Sequence, residues 1–149
     1  MNYQEIFNKK YEIKMILLAI SSITILFFMV NKSYYDQFEY IKDNVVKRIV
    51  LKILLFIFWA SSIKSVIYPI MSDKKIIDSN TYLVMDNCCV YQEIIGTGRM
   101  GLSKIIVVES NGKRYELTVA QADEGIEKGD KVKVTYLPNS RYAVIEKEE

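Results

Sequence analysis

Apolar and polar positions divide this chain into two unlike halves. Met15–Val30 (MILLAISSITILFFMV) is apolar and uncharged, and Val50–Met71 (VLKILLFIFWASSIKSVIYPIM) is a second apolar run holding two lysines. Beyond them, apolar residues come in short, largely alternating runs separated by turn residues. The long runs predict membrane-spanning helices, because a hydrocarbon core of about 30 Å takes roughly 20 helical residues. The first span is placed at 13–30, with Lys14 extending its ammonium to the headgroups, and the second at 50–71. The first run is longer than a signal-peptide core and no small-x-small site follows Phe27-Phe28-Met29-Val30, so it is read as a retained helix. Tyr3 and Tyr11 precede it at the depth where amphipathic rings favour a membrane interface.

Residues 31–49 connect the spans and contain neither Gly nor Pro. Tyr34, Phe38, Ile41, Val45 and Ile49 recur at helical spacing, and Asp43–Lys47 is a favourable pair four residues apart. This predicts an amphipathic helical extension of one or both spans, closing a hairpin. The sharper alternative is an interfacial helix that senses lipid or a toxin. Ser72-Asp73-Lys74-Lys75 is taken as the end of the helical part, giving a transmembrane hairpin over 1–75 and a soluble domain over 76–149.

The second half predicts an all-β domain, so the fold class is an α+β membrane protein. Thr81–Ile95 is one long bent strand, or two broken at Asp86-Asn87. Ser103–Glu109 and Lys113–Ala120 flank Asn111-Gly112, a favoured two-residue hairpin turn. Gly129-Asp130 leads into Lys131–Leu137, and Pro138-Asn139-Ser140 into Arg141–Lys147. About five short strands in a domain this small fit an OB-like or SH3-like barrel.

Charge sharpens the division. Residues 1–75 hold 11 Lys/Arg and 6 Asp/Glu, whereas residues 76–149 hold 9 and 12. An acidic soluble domain without clustered cations argues against nucleic acid. The basic residues instead flank the apolar runs, where lipid headgroups lie. Five cations (Lys9, Lys10, Lys14, Lys74, Lys75) flank the outer ends of the spans and four (Lys32, Lys42, Lys47, Arg48) lie between them. That bias, with thiols only at the adjacent Cys88 and Cys89, places the soluble domain in the cytoplasm beneath the cell membrane.

The run GIEKGDKVKVTYLPNSRYAVI (Gly125–Ile145) carries a resemblance. Its Gly129, Asp130, Val132, Val134, Tyr136 and Pro138 resemble the closing hairpin of small bacterial membrane proteins that join transmembrane helices to an OB-like barrel, NfeD-like proteins among them. The likeness covers about 45 residues at most and is one of fold. It implies a partner of the stomatin or flotillin membrane-scaffold type.

Motifs for chemistry are weak. Gly96-Thr97-Gly98-Arg99-Met100-Gly101 matches G-x-G-x-x-G, but a β-branched strand follows where a dinucleotide site needs a helix. Leu102 stands where a P-loop needs lysine. Asp123, Glu124, Glu127 and Asp130 lack EF-hand spacing and read as a solvated turn. Adjacent thiols in a chain without His supply too few ligands for structural zinc, and on a strand one points inward and one outward. No cofactor, metal site or catalytic constellation is expected, and the chain is read as no enzyme.

Lys52 and Lys64 are the candidate intramembrane polar residues. Lys64 either snorkels or has a buried partner. Gly96, Gly98, Arg99 and Gly101 of the glycine turn, with Tyr115 and Tyr136 of the strands, are the candidate interaction residues. The expectation is a membrane-anchored barrel that binds a protein partner as an adaptor, with homo-oligomers possible. Two alternatives stand beside it: an immunity protein against a secreted or membrane-acting toxin, and an accessory subunit of a transporter or channel.

Overall fold

The computed structural model describes residues 2–31, 35–42, 44–97 and 103–148. Two compact units result: Met1–Tyr11 with Ser72–Glu149, and Glu12–Met71. The first helix contributes to both.

Helix α1 is Tyr3–Val30, and a short helix α2 is Glu39–Lys42. The second long helix, α3, is Val45–Ser62. It continues through a π turn at Ile63–Ile67 into α4 (Tyr68–Ser72), and α5 (Lys74–Ser79) follows. Tyr3–Val30 and Val45–Ser79 are each long and apolar enough to cross a membrane. Pro69 explains the π turn, since proline removes a donor and crowds the carbonyl four residues back. The wider turn lets the Tyr68 N–H bond Ile63 O instead.

Between the long helices, the second span is extended back to Val45, as an amphipathic extension of that span predicts, and Glu39–Lys42 forms a separate short helix among the described residues. Asn44 breaks the stripe: its side chain accepts the Lys47 N–H at 3.1 Å and caps a new helix at Val45. Tyr34 and Asp43 lie outside the described residues. The last carbonyls of α1 are also capped, Phe28 O by the Tyr35 hydroxyl at 2.7 Å and Met29 O by the Lys52 ammonium at 2.6 Å. The helical part also runs past the expected stop at Ser72–Lys75. It ends at Asn80, whose left-handed conformation (φ 54°) closes α5 with a Thr81 N–H to Ile76 O bond.

Five strands close a barrel in the order β1-β2-β3-β5-β4. They are β1 (Leu83–Thr97), β2 (Ser103–Ser110), β3 (Lys113–Ala122), β4 (Lys131–Tyr136) and β5 (Tyr142–Lys147). β1 is one strand, bulged between Met85 and Cys88 where Asn87 turns left-handed (φ 54°). It pairs with both β2 and β4, which closes the wall. The β3–β5 pair is parallel and the others are antiparallel.

Val90, Ile106, Val108, Leu117, Val132 and Val134 fill the barrel interior. β5 breaks alternation, with Ala143, Val144 and Ile145 all buried. Ala143 and Ile145 face the interior, while Val144 joins a second cluster with Phe7, Ile77 and Leu137. The first turns of α1 and helix α5 therefore cover the outside of this strand. Tyr3 and Tyr11, expected at a membrane interface, pack against this cluster. Their spacing with Phe7 puts all three rings on one face of α1.

Candidate functional site

Sheet topology opens the site. β3 pairs with β5 only from Thr118 onward, whereas it pairs with β2 from Lys113. Beside the first half of β3 lies a cavity of about 340 Å³ lined by Arg114, Tyr115, Glu116, Leu117, Tyr136, Pro138 and Arg141. Its residues come from β3, the end of β4 and the turn between β4 and β5. Tyr115 and Tyr136, chosen from sequence as interaction residues, thus line one cavity. Both are half-buried and pack on the barrel core. Burial raises the Tyr136 hydroxyl above its ordinary range, and the neighbouring Tyr115 and Cys88 add to the shift. At neutral pH that hydroxyl is a hydrogen-bond donor.

The β4–β5 turn is held from outside the barrel. Asp73 is fully buried, and both its carboxylate oxygens accept from the turn. Oδ1 takes the Asn139 backbone N–H (3.2 Å) and Nδ2 (2.7 Å), and Oδ2 takes the Ser140 N–H (2.7 Å) and hydroxyl (2.6 Å). Four donors compensate a buried charge that has no cation beside it among the described ion pairs. From the sequence, Asp73 is expected to end the helical part and Asn139-Ser140 to form a plain turn. Nothing in their spacing, 66 and 67 residues apart, signals the contact.

The sequence pattern does not mark Arg114 and Arg141 either. The Arg114 guanidinium stacks on the Tyr91 ring, 3.6 Å from its centroid, and its Nε lies 3.3 Å from Glu109. Arg141 is exposed, with a left-handed backbone at φ 57°.

The remaining candidates lie elsewhere. Gly96 pairs with Lys104 where β1 connects to β2 and does not line the cavity. Gly98, Arg99 and Gly101 fall outside the described residues. Lys52 lines an apolar cavity of about 310 Å³ with Met29, Ile49, Ile53 and Phe56, its ammonium turned to Met29 O. Lys64 is exposed on the π turn. Cys88 is buried and Cys89 exposed. Burial pushes the Cys88 thiol above its ordinary range. Of the acidic turn, Asp130 accepts the Glu127 N–H at 2.9 Å and pairs with Lys147 at 2.8 Å, which holds its carboxyl below the usual range. Asp123 accepts the Lys147 N–H at 3.0 Å.

Fold and cavity together define a protein with two long apolar helices and a small closed β-barrel carrying an aromatic, arginine-edged cavity. The chain matches no protein-family model, no curated protein and no solved structure.

Proposed function

We propose that this chain is a two-span integral membrane protein whose barrel is a protein-binding adaptor module. The observation that carries the membrane reading is the exposed apolar surface of both long helices, and the packing of Phe7 with Leu137, Val144 and Ile77 sets how many times the chain can cross. The start of α1 and the whole barrel then share one side of any bilayer. A chain that leaves that side along α1 and is back at Ile77 crosses an even number of times, so both long helices span or neither does. Ile20, Ile23, Leu26, Ile53, Ile57 and Phe58 are all more than half exposed, which suits lipid and not water. The excess of flanking cations supports a cytoplasmic barrel.

The strand order with its parallel β3–β5 pair favours the OB-like over the SH3-like reading. The binding reading rests on the Tyr115–Tyr136 cavity, a concave site with a few convergent polar groups. The NfeD-like likeness makes a membrane scaffold of the stomatin or flotillin type the first partner to test. Alkaline carbonate extraction tests the anchor: the protein stays with the membranes, and release into the supernatant refutes spanning. Quantitative copurification from detergent tests the adaptor. A protein recovered with the full chain and lost with Tyr115→Ala supports it, and recovery of nothing above background refutes it.

A second reading, an accessory transporter or channel subunit, draws on Lys64. It is an ionisable residue within the second long apolar helix, where a charge is a functional-site candidate. Lys64→Leu abolishes an associated flux on that reading, and unchanged flux removes it.

A further inference from the structure

Arg141 is the unusual residue of the cavity wall. Among the described residues four non-glycine positions have positive φ, and the other three are asparagines: Asn80, Asn87 and Asn111. Asparagine visits this region readily, whereas arginine gains nothing local from it. The conformation is imposed from both sides. The Arg141 N–H donates to Leu137 O at 3.0 Å, and Arg141 O accepts the Thr118 N–H at 2.9 Å. Asp73 fixes the two residues before it. A strained backbone over-determined by its surroundings is a recurrent feature of ligand sites. Here it places Arg141 on the wall of the cavity.

The Arg141 guanidinium is also available. Arg114 is engaged by Glu109 and Tyr91, but no side-chain hydrogen bond or ion pair of Arg141 occurs among the described residues. We propose that the cavity binds a carboxylate carried by an extended segment of the protein partner. Arg141 pairs the carboxylate, and Tyr115 and Tyr136 hold the chain that bears it. This inference rests on the adaptor reading and names the chemistry its site recognises. A cavity of about 340 Å³ is at the small end for ligand sites and admits one or two residues, not a folded surface. Glu116 on the same wall favours a singly charged carboxylate over a doubly charged phosphate. The protonated Tyr136 hydroxyl supplies a second donor.

Fluorescence anisotropy on the full chain in nanodiscs tests this with four labelled pentapeptides. One carries a central Glu, one Gln and one phosphoserine, all with amidated C-termini. The fourth carries Gln with a free C-terminal carboxylate. At least one carboxylate peptide binds saturably, about tenfold or more tighter than the amidated Gln peptide, and the Glu and free-terminus arms distinguish the two carboxylate sources. Arg141→Gln erases the difference. Arg141→Gly also loses binding while melting no lower than the parent, so the loss is not misfolding. Equal binding of both carboxylate peptides and amidated Gln, unchanged affinity in Arg141→Gln, tightest binding of phosphoserine, or no saturable binding each overturns the proposal. If a partner copurifies equally with Arg141→Gln, this inference falls and the adaptor reading stands.

Discussion

Replacing Asp73 by alanine removes the acceptor for four hydrogen bonds at once. The Asn139 amide and Ser140 hydroxyl are side-chain groups that can rotate toward water. The two backbone N–H groups have no such freedom, because the turn is fixed by the Leu137–Tyr142 and Arg141–Leu137 backbone bonds. A hydrogen bond to a charged group contributes about 1.5–3 kcal/mol, and a stranded donor costs about 1–3 kcal/mol. Loss of the two backbone bonds therefore lowers the local opening free energy of the turn by about 3 kcal/mol, roughly a hundredfold in exchange rate. Hydrogen–deuterium exchange on the full chain reads this directly in a peptide containing the Asn139 and Ser140 amides. Asp73→Asn keeps one acceptor oxygen and falls between the two. Exchange of these amides within about threefold of the parent in Asp73→Ala would show that the turn is held by other contacts.

Other consequences are as specific. Phe7→Ala empties a fully buried site shared with Ile77, Leu137 and Val144, and lowers stability by about 3–5 kcal/mol in denaturant unfolding. Arg141→Gly relieves a left-handed arginine and stabilises the barrel by about 1 kcal/mol; destabilisation would mean that the arginine side chain holds the turn. A maleimide labels Cys89 and spares Cys88, whose thiol burial keeps protonated, so Cys89→Ser removes the signal; equal labelling of both would contradict the inward position of Cys88. Asp130 has a folded-state carboxyl held below its unfolded value. Its stabilisation is thus present above the unfolded value and is lost as pH falls through the folded one. Asp130→Asn flattens that acid limb in thermal melts taken from neutral to strongly acidic pH, and an unaltered acid limb would refute the assignment.

Local pattern carried much of the architecture. The two apolar runs and the strands around Asn111-Gly112 and Gly129-Asp130 follow from side-chain periodicity and turn chemistry, and the strands fall within a few residues of their expected limits. Single residues mislead where a cap or a contact outweighs period. Asn44 interrupts an amphipathic stripe that looked continuous, and rings on α1 that looked interfacial cover β5.

The sequence by itself determined which stretches are helix or strand and which faces are apolar, because those properties are set within a few residues. Only the tertiary structure decided how the faces meet. The parallel β3–β5 pair brings Tyr115 and Tyr136 to one cavity across strands distant in sequence. Asp73 reaches Asn139 and Ser140 over more than 60 residues. The left-handed Arg141 exists because backbone bonds on both sides impose it. Each depends on the closed barrel as a whole, which no local window of residues encodes.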